Sequence, residues 1–204
     1  MPHHSQTEIE RKYDVDAEAR HPQLVGVGPV AVQGEPERHE LVATYFDTAD
    51  LALAQHKTAV RIRRGGHDAG WHVKEPADEG RTELHWPLTE ADEPPAELVD
   101  HLRELTGGAP LVPIARVTNQ RDSVLLQDAA GFELAELTDD HVRSENLRSG
   151  GTQEWREWEV ELLGGAAGSR EGRTALLDRI EERLLAAGAR PSASSSKLQR
   201  ALGL

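Results

Sequence analysis

Five segments of this chain repeat charged residues at every second position, and the types that repeat are those of phosphate and metal chemistry. Glu8, Glu10 and Lys12 alternate with Ile9 and Arg11. Arg61 and Arg63 alternate with Val60 and Ile62, and His72 and Lys74 with Trp71 and Val73. Arg81, Glu83 and His85 alternate with Leu84 and Trp86, and Glu157, Glu159 and Glu161 with Trp158, Val160 and Leu162. In a strand, residues two apart share a face, so each segment predicts one charged and one mostly apolar face. A row of three glutamates repels itself unless a cation or basic partner offsets it. Lysine and arginine donors suit a chain of oxyanions, and clustered carboxylates suit a hard divalent cation such as Mg²⁺ or Mn²⁺. Together these are the two halves of metal-assisted phosphoryl transfer.

The elements that must hold these faces together are read from the same alternation. Strands are expected over Thr7–Asp14, His39–Asp47, Thr58–Arg64, Trp71–Glu75, Arg81–Leu88, Pro113–Gln127, Phe132–Val142 and Glu154–Leu163. Helices are expected over Ala96–Leu105, after Pro94-Pro95, and over Arg170–Ala187, ending at Gly188. The Ser-rich stretch 191–196 reads as a linker or as the cap of a short helix over Lys197–Ala201. Hairpin-joined strands with few helices predict an α+β fold, an antiparallel sheet closed into a barrel. Its charged faces would turn inward and its apolar faces outward against the helices.

Composition sets the bounds. The 204 residues suit a single domain, 1–204, with about 5–202 as its folded core. With no cysteine, a thiolate metal site and a disulfide framework are excluded, which leaves oxygen ligands or the ten histidines. A net charge of −13 argues against a nucleic-acid partner, although an acidic shell can still enclose a basic pocket. No apolar run approaches the ~18 residues of a membrane helix, and Met-Pro-His-His-Ser-Gln lacks the regions of a signal peptide. No membrane association and a cytoplasmic location are the expectations.

Glu8-Ile9-Glu10-Arg11-Lys12 matches the E-x-E-x-K signature of the CYTH domain, in the triphosphate tunnel metalloenzyme superfamily. The likeness continues in order through Tyr45-Phe46-Asp47-Thr48, Val60-Arg61-Ile62-Arg63-Arg64, Val73-Lys74, Arg81-Thr82-Glu83, Arg121, the Glu157–Glu161 strand and the tail from Pro191 through Lys197 to Leu202. The chain therefore resembles this family over nearly its whole length. The resemblance implies an eight-stranded antiparallel tunnel with helices packed outside and a triphosphate or polyphosphate ligand within. It implies Glu8, Glu10, Lys12, Lys74 and Glu83 as catalytic residues, Glu83 by orienting neighbouring arginines. Lys12, Arg61, Arg63, Lys74, Arg81, Arg121 and Lys197 would clamp the phosphates, with Arg116 a weaker member whose register needs a bulge or an outward role. Glu8, Glu10, Glu157, Glu159 and Glu161 would hold Mg²⁺ or Mn²⁺, joined by Asp139 or its neighbour Asp140. The implied activity is hydrolysis of inorganic or small organic triphosphate. The alternatives are a class IV adenylate cyclase, a thiamine triphosphatase, or a non-catalytic polyphosphate-binding module. A CHAD domain in cis or trans is the implied partner, and the state is monomer or homodimer.

Several residues have plainer readings. His3 and His4 would point to opposite sides of a strand and are read as a loose terminus. His72 and His85 are read as structural or rim residues, with a proton relay the alternative. Trp71, Trp86 and Trp158 are expected to pack against helices and Trp155 to sit at a tunnel mouth. Glu35-Pro36-Glu37-Arg38 is read as a solvated turn.

Overall fold

Period-two alternation with β-branched and aromatic residues on one face commits the longer segments to strands, and every pairing among the described residues is antiparallel. A computed structural model describes residues 4–166 and 168–204. His3 lies outside the described residues. The strands are β1 (His4–Glu8), β2 (Glu10–Asp14), β3 (Val32–Gln33), β4 (Glu37–Asp47), β5 (Ala59–Arg64), β6 (Gly70–Pro76), β7 (Arg81–Trp86), β8 (Val112–Gln127), β9 (Glu133–Asn146), β10 (Thr152–Leu162) and β11 (Arg190–Pro191). The helices are α1 (Ala52–Gln55), α2 (Ala96–His101), α3 (Arg103–Thr106), α4 (Arg170–Ala186) and α5 (Lys197–Leu202).

The hydrogen-bonded order is β1-β7-β6-β5-β4-β8-β9-β10-β2-β11, with β3 paired to β8. The expected first strand is split. β1 pairs with β7 and β2 with β10, so consecutive segments lie on opposite sides of the curl. Ile9 spans the break, and its carbonyl accepts the Leu162 amide at 2.9 Å. The sheet is therefore an open, curled path and not the closed ring of pairings that alternation suggested. Two further expectations change. The helix expected over 96–105 is interrupted at Leu102, and Glu37 and Arg38 belong to β4, where they pair with Ser123 and Asp122.

On β2, β5–β7 and β10 the apolar faces point outward, as predicted, and are covered by helices, whereas on β4 the apolar face, with Leu41, Ala43 and Tyr45, lines the concave side. Trp158, Val160 and Tyr13 bury against Leu176, Leu177, Ile180 and Leu184 of α4. Each fully buried aliphatic side chain there contributes roughly 1.5–3 kcal/mol. Ser169 caps α4 by accepting the Gly172 amide at 3.1 Å. Trp71, Trp86, Val60, Ile62 and Val73 pack with Leu98 and Leu102 around the α2–α3 break. The third cluster sets Leu198 and Ala201 of α5 on Ala43, Tyr45, Ile114 and Val117. Ser196 caps α5 through the Gln199 amide at 3.1 Å, which settles the tail as a helix start. Asp47, buried in the Tyr-Phe-Asp-Thr segment, accepts the amides of Thr48, Leu53 and Ala54 and so fixes the start of α1. None of the described helices is long and apolar enough to cross a membrane.

Candidate active site in the curled sheet

The concave face encloses a cavity of about 690 Å³. Its wall carries Glu8, Glu10, Lys12, Arg61, Arg63, Lys74, Arg81, Glu83, Arg121, Glu159, Glu161 and Lys197, brought together from seven strands and α5. Strand parity does this directly. Glu10, Lys12, Glu159 and Glu161 share one face because Glu159 lies opposite Lys12 and Glu161 opposite Glu10.

The cations and acids neutralise one another in ladders. Glu159 is the hub. It accepts from Lys12, from Arg121 Nη2 at 2.8 Å and from Lys197 Nζ at 2.8 Å. Burial alone would raise its pKa, but these three cations outweigh burial and hold it well below the usual carboxylate range. Lys12 also donates to Glu10 Oε2 at 2.7 Å, and Lys74 lies 2.6 Å from Glu8. Glu83 joins His72 Nδ1 at 3.0 Å to Arg61 and Lys74, each at 3.6 Å. Those contacts overcome burial and keep it ionised. His72 Nε2 lies 2.9 Å from the Asp68 carbonyl oxygen, so His72 bridges Glu83 to the β5–β6 loop, and the His85 ring packs against it at a tilt of 52°, 4.8 Å between centroids.

Of the two aspartates in question, it is Asp140 that joins this network. Its oxygens accept from Arg121 Nε and Nη2 at 2.7 and 2.6 Å, and Lys197 lies 2.7 Å away. Burial would raise its pKa, yet Arg121 and Lys197 bring it down to about 2. Asp139 is corrected out of the metal set: it lies on the opposite face, where Arg156 binds it at 2.8 and 2.6 Å. Glu157 shares the face of Glu159 but does not line the cavity; it lies 2.6 Å from Lys197 and accepts the Trp155 indole N–H at 2.6 Å. Arg116 takes the outward role; it is exposed and lies 3.9 Å from Glu145. Arg81 turns to the rim, its guanidinium donating to the Lys57 carbonyl at 2.8 Å.

Tyr45 and Glu136 are among the wall residues that sequence reasoning missed. Tyr45 lies within 3.5 Å of Arg61 Nη1; burial raises its phenol, but the guanidinium outweighs this and lowers it. Glu136 faces Glu161 across the β9–β10 pairing. Its parity with Asp140 was the available signal.

Two features of the wall are not internally satisfied. The Nε atoms of Arg61 and Arg63 are buried without a hydrogen-bond acceptor among the described residues. Burial and the neighbouring Arg61 and Arg121 guanidiniums lower the pKa of Arg63, a like-charge strain that an anion would relieve. Conversely, no hydrogen bond or ion pair reaches Glu161 among the described residues, and burial followed by Glu8 pushes it up to about 7. A divalent cation suits that donor set. Asp140, Glu157 and Glu159 also lie close enough to share an ion, with one oxygen from each within 4.8 Å of the others, although Lys197 now contacts all three.

Glu161 makes a pH prediction for the metal-free protein. Its folded pKa lies above its ordinary 4.5, so the folded chain holds the extra proton between about pH 4.5 and 7. Stability from this group falls as pH rises through that window, by up to about 3 kcal/mol. Glu161→Gln is expected to flatten this decline in thermal melts taken from pH 5 to pH 8. Parallel wild-type and variant profiles would show that Glu161 is ordinarily solvated.

This fold coincides with that of a family. The CYTH domain model matches residues 6–179, and the chain belongs to the CYTH domain family. Two uncharacterized proteins from Mycobacterium tuberculosis strains, CDC 1551 / Oshkosh and ATCC 25618 / H37Rv, are each 39% identical over 96% of this chain. The chain spans about 40% of the length of these curated relatives. Among solved structures, a Bacillus halodurans protein designated a candidate adenylate cyclase superposes with a TM-score of 0.64 at 25% identity, covering 96% of this chain and 97% of that one. A Hippeastrum protein, designated a candidate adenylyl cyclase and described as having a dominant triphosphatase activity, superposes with a TM-score of 0.54 at 19% identity, covering 95% and 94%.

Proposed function

We propose that this domain binds a triphosphate in the cavity and hydrolyses a phosphoanhydride bond with the help of Mg²⁺ or Mn²⁺. The observation that carries the reading is the pairing of unspent arginine donors with an under-neutralised glutamate in one cavity. Arg61, Arg63, Arg121, Lys12, Lys74 and Lys197 bind and orient the phosphate chain. Arg81 reaches it from the rim. Glu8, Glu10, Glu159 and Glu161 are the residues that would hold the metal, and their all-oxygen donor set fits a hard cation. When bound, the metal supplies charge neutralisation and an activated water. Glu83 and Tyr45 keep Arg61 aimed at the ligand, and the surrounding cations stabilise charge that develops on the transferred phosphoryl group. In this structure Lys12, Arg61, Lys74, Arg121 and Lys197 are paired with glutamates, and Arg63 with Asp68. Entry of a metal-bound triphosphate would exchange these ion pairs for phosphate–cation and carboxylate–metal contacts.

Arg61→Ala is expected to weaken tripolyphosphate binding by about 10- to 100-fold, the loss of one or two charge-assisted hydrogen bonds. Calorimetric titration checks this, and unchanged affinity would turn Arg61 away from the ligand. A panel of tripolyphosphate, ATP, thiamine triphosphate and long polyphosphate tests the reaction. Phosphate release from tripolyphosphate supports the proposal. Cyclic AMP from ATP would replace it with the cyclase reading that the Bacillus halodurans likeness favours. Tight binding without turnover would make the domain a polyphosphate-binding module.

A further inference from the structure

A second cluster of metal-ligating side chains stands at the cavity's edge, away from the glutamate rows. Glu37 and His39 are two apart on β4 and share its concave face. His67 reaches them from the β5–β6 loop. Gly65 makes that approach close: at φ +82°, a Cβ there would meet the Glu40 carbonyl oxygen at 2.0 Å. The loop therefore lies directly on β4, which seats His67 over Glu37. His67 Nε2 is 3.0 Å and His39 Nε2 is 3.6 Å from the same Glu37 oxygen, and the two rings meet edge-on at 5.0 Å. One ligand atom from each residue lies within 4.8 Å of the others.

We propose that Glu37, His39 and His67 form a binding site for a borderline divalent cation of the Zn²⁺ or Co²⁺ type. Two imidazoles and one carboxylate are the donor set such ions take, with metal–ligand bonds of about 2.0–2.2 Å. Drawing the donors together requires only a rotation of side chains on an exposed edge, since His67 and Glu37 are 81% and 61% exposed. His39, at 14% exposure, supplies the fixed ligand. All three side chains line the cavity, so coordination positions left open face it. A metal here accepts an oxygen of an anion entering from this side. The site shares no residue with the glutamate rows, whose all-oxygen donors prefer Mg²⁺ or Mn²⁺. One chain thus sorts two classes of cation by ligand type.

The test is a Co²⁺ titration of the whole chain, without triphosphate and in excess Mg²⁺, followed by visible absorption. His3→Ala and His4→Ala are included in the parent so that the terminal histidines contribute nothing. The expected result is one equivalent of Co²⁺ with the bands of an imidazole-ligated ion. His67→Ala and His39→Ala should each weaken binding at least ~10-fold, while Glu10→Gln leaves it unchanged. Binding unaffected by either histidine change, or lost in Glu10→Gln instead, would overturn the proposal. Neither outcome depends on whether the cavity hydrolyses triphosphate.

Discussion

Glu10→Gln is expected to lower metal-dependent phosphate release from tripolyphosphate by at least ~100-fold while leaving the fold intact. Glu10 lines the cavity, faces Glu161 across the β2–β10 pairing and is paired only with Lys12 among the described residues. Burial would raise its pKa, but Lys12 outweighs burial and keeps it ionised. The amide keeps the side chain's shape and can still accept from Lys12 Nζ. What it loses is the negative charge a divalent cation requires. The fold should therefore tolerate the change better than the chemistry does. Phosphate release measured against Mg²⁺ concentration, beside a thermal melt, checks both halves. Turnover within about threefold of wild type would remove Glu10 from the proposed metal set. A variant that no longer melts cooperatively would show instead that the charge is needed for folding.

The contrast between what alternation revealed and what it left open has a physical basis. Where polar and apolar residues alternate strictly, as in Val60–Arg63 or Glu157–Leu162, the sequence itself separates the two faces, and Arg61, Arg63, Glu159 and Glu161 reach the cavity as parity requires. β9 is different. Leu134, Ala135 and Leu137 are all buried, so the apolar residues do not mark one face, and Asp139 and Asp140 could not be separated until their partners, Arg156 and Arg121, were seen. Arg116 and Arg121 have opposite parity on β8. The pairing with β4 slips at Tyr45/Phe46 and with β9 at Leu126/Gln127, both outside the stretch between them, so the two arginines face opposite ways. The break at Ile9 was invisible because it leaves the parity of Glu8, Glu10 and Lys12 unchanged. Only pairing to different neighbours reveals it. His67 could not be placed at all from alternation, since it lies in a loop whose path is set by contact with the Glu40 carbonyl.

Lys197→Met is expected to be the most destabilising single change in the cavity wall, at about 3–5 kcal/mol, the usual cost of removing one partner from a buried ionic cluster. For a domain of this length, that lowers the melting temperature by on the order of 10 °C. The residue arrives on α5, the last helix, yet its ammonium lies 2.7 Å from Asp140, 2.6 Å from Glu157 and 2.8 Å from Glu159. These attractions overcome burial and raise its pKa far above the lysine range. Removing it leaves buried carboxylates short of a counter-charge, above all Glu157, whose pKa burial already raises against the pull of Lys197. In the wild type, Asp140 lies at about 2, below its ordinary 3.8. Its contribution is therefore present above the unfolded value and is lost as pH falls through the folded one. Without Lys197 the carboxylates are held down less strongly, Asp140 by Arg121 and Glu159 by Lys12 and Arg121, so the variant's deficit should narrow as the medium is acidified and they take up protons. Because one oxygen from each of the three acids lies within 4.8 Å of the others, added Mg²⁺ should restore part of the lost stability in the variant more than it stabilises the wild type. Melts at about pH 5 and pH 8, with and without Mg²⁺, measure all three effects. A loss below about 1 kcal/mol, independent of pH and metal, would mean that Lys197 is a solvated side chain and that α5 closes this end of the cavity through Leu198 and Ala201 alone.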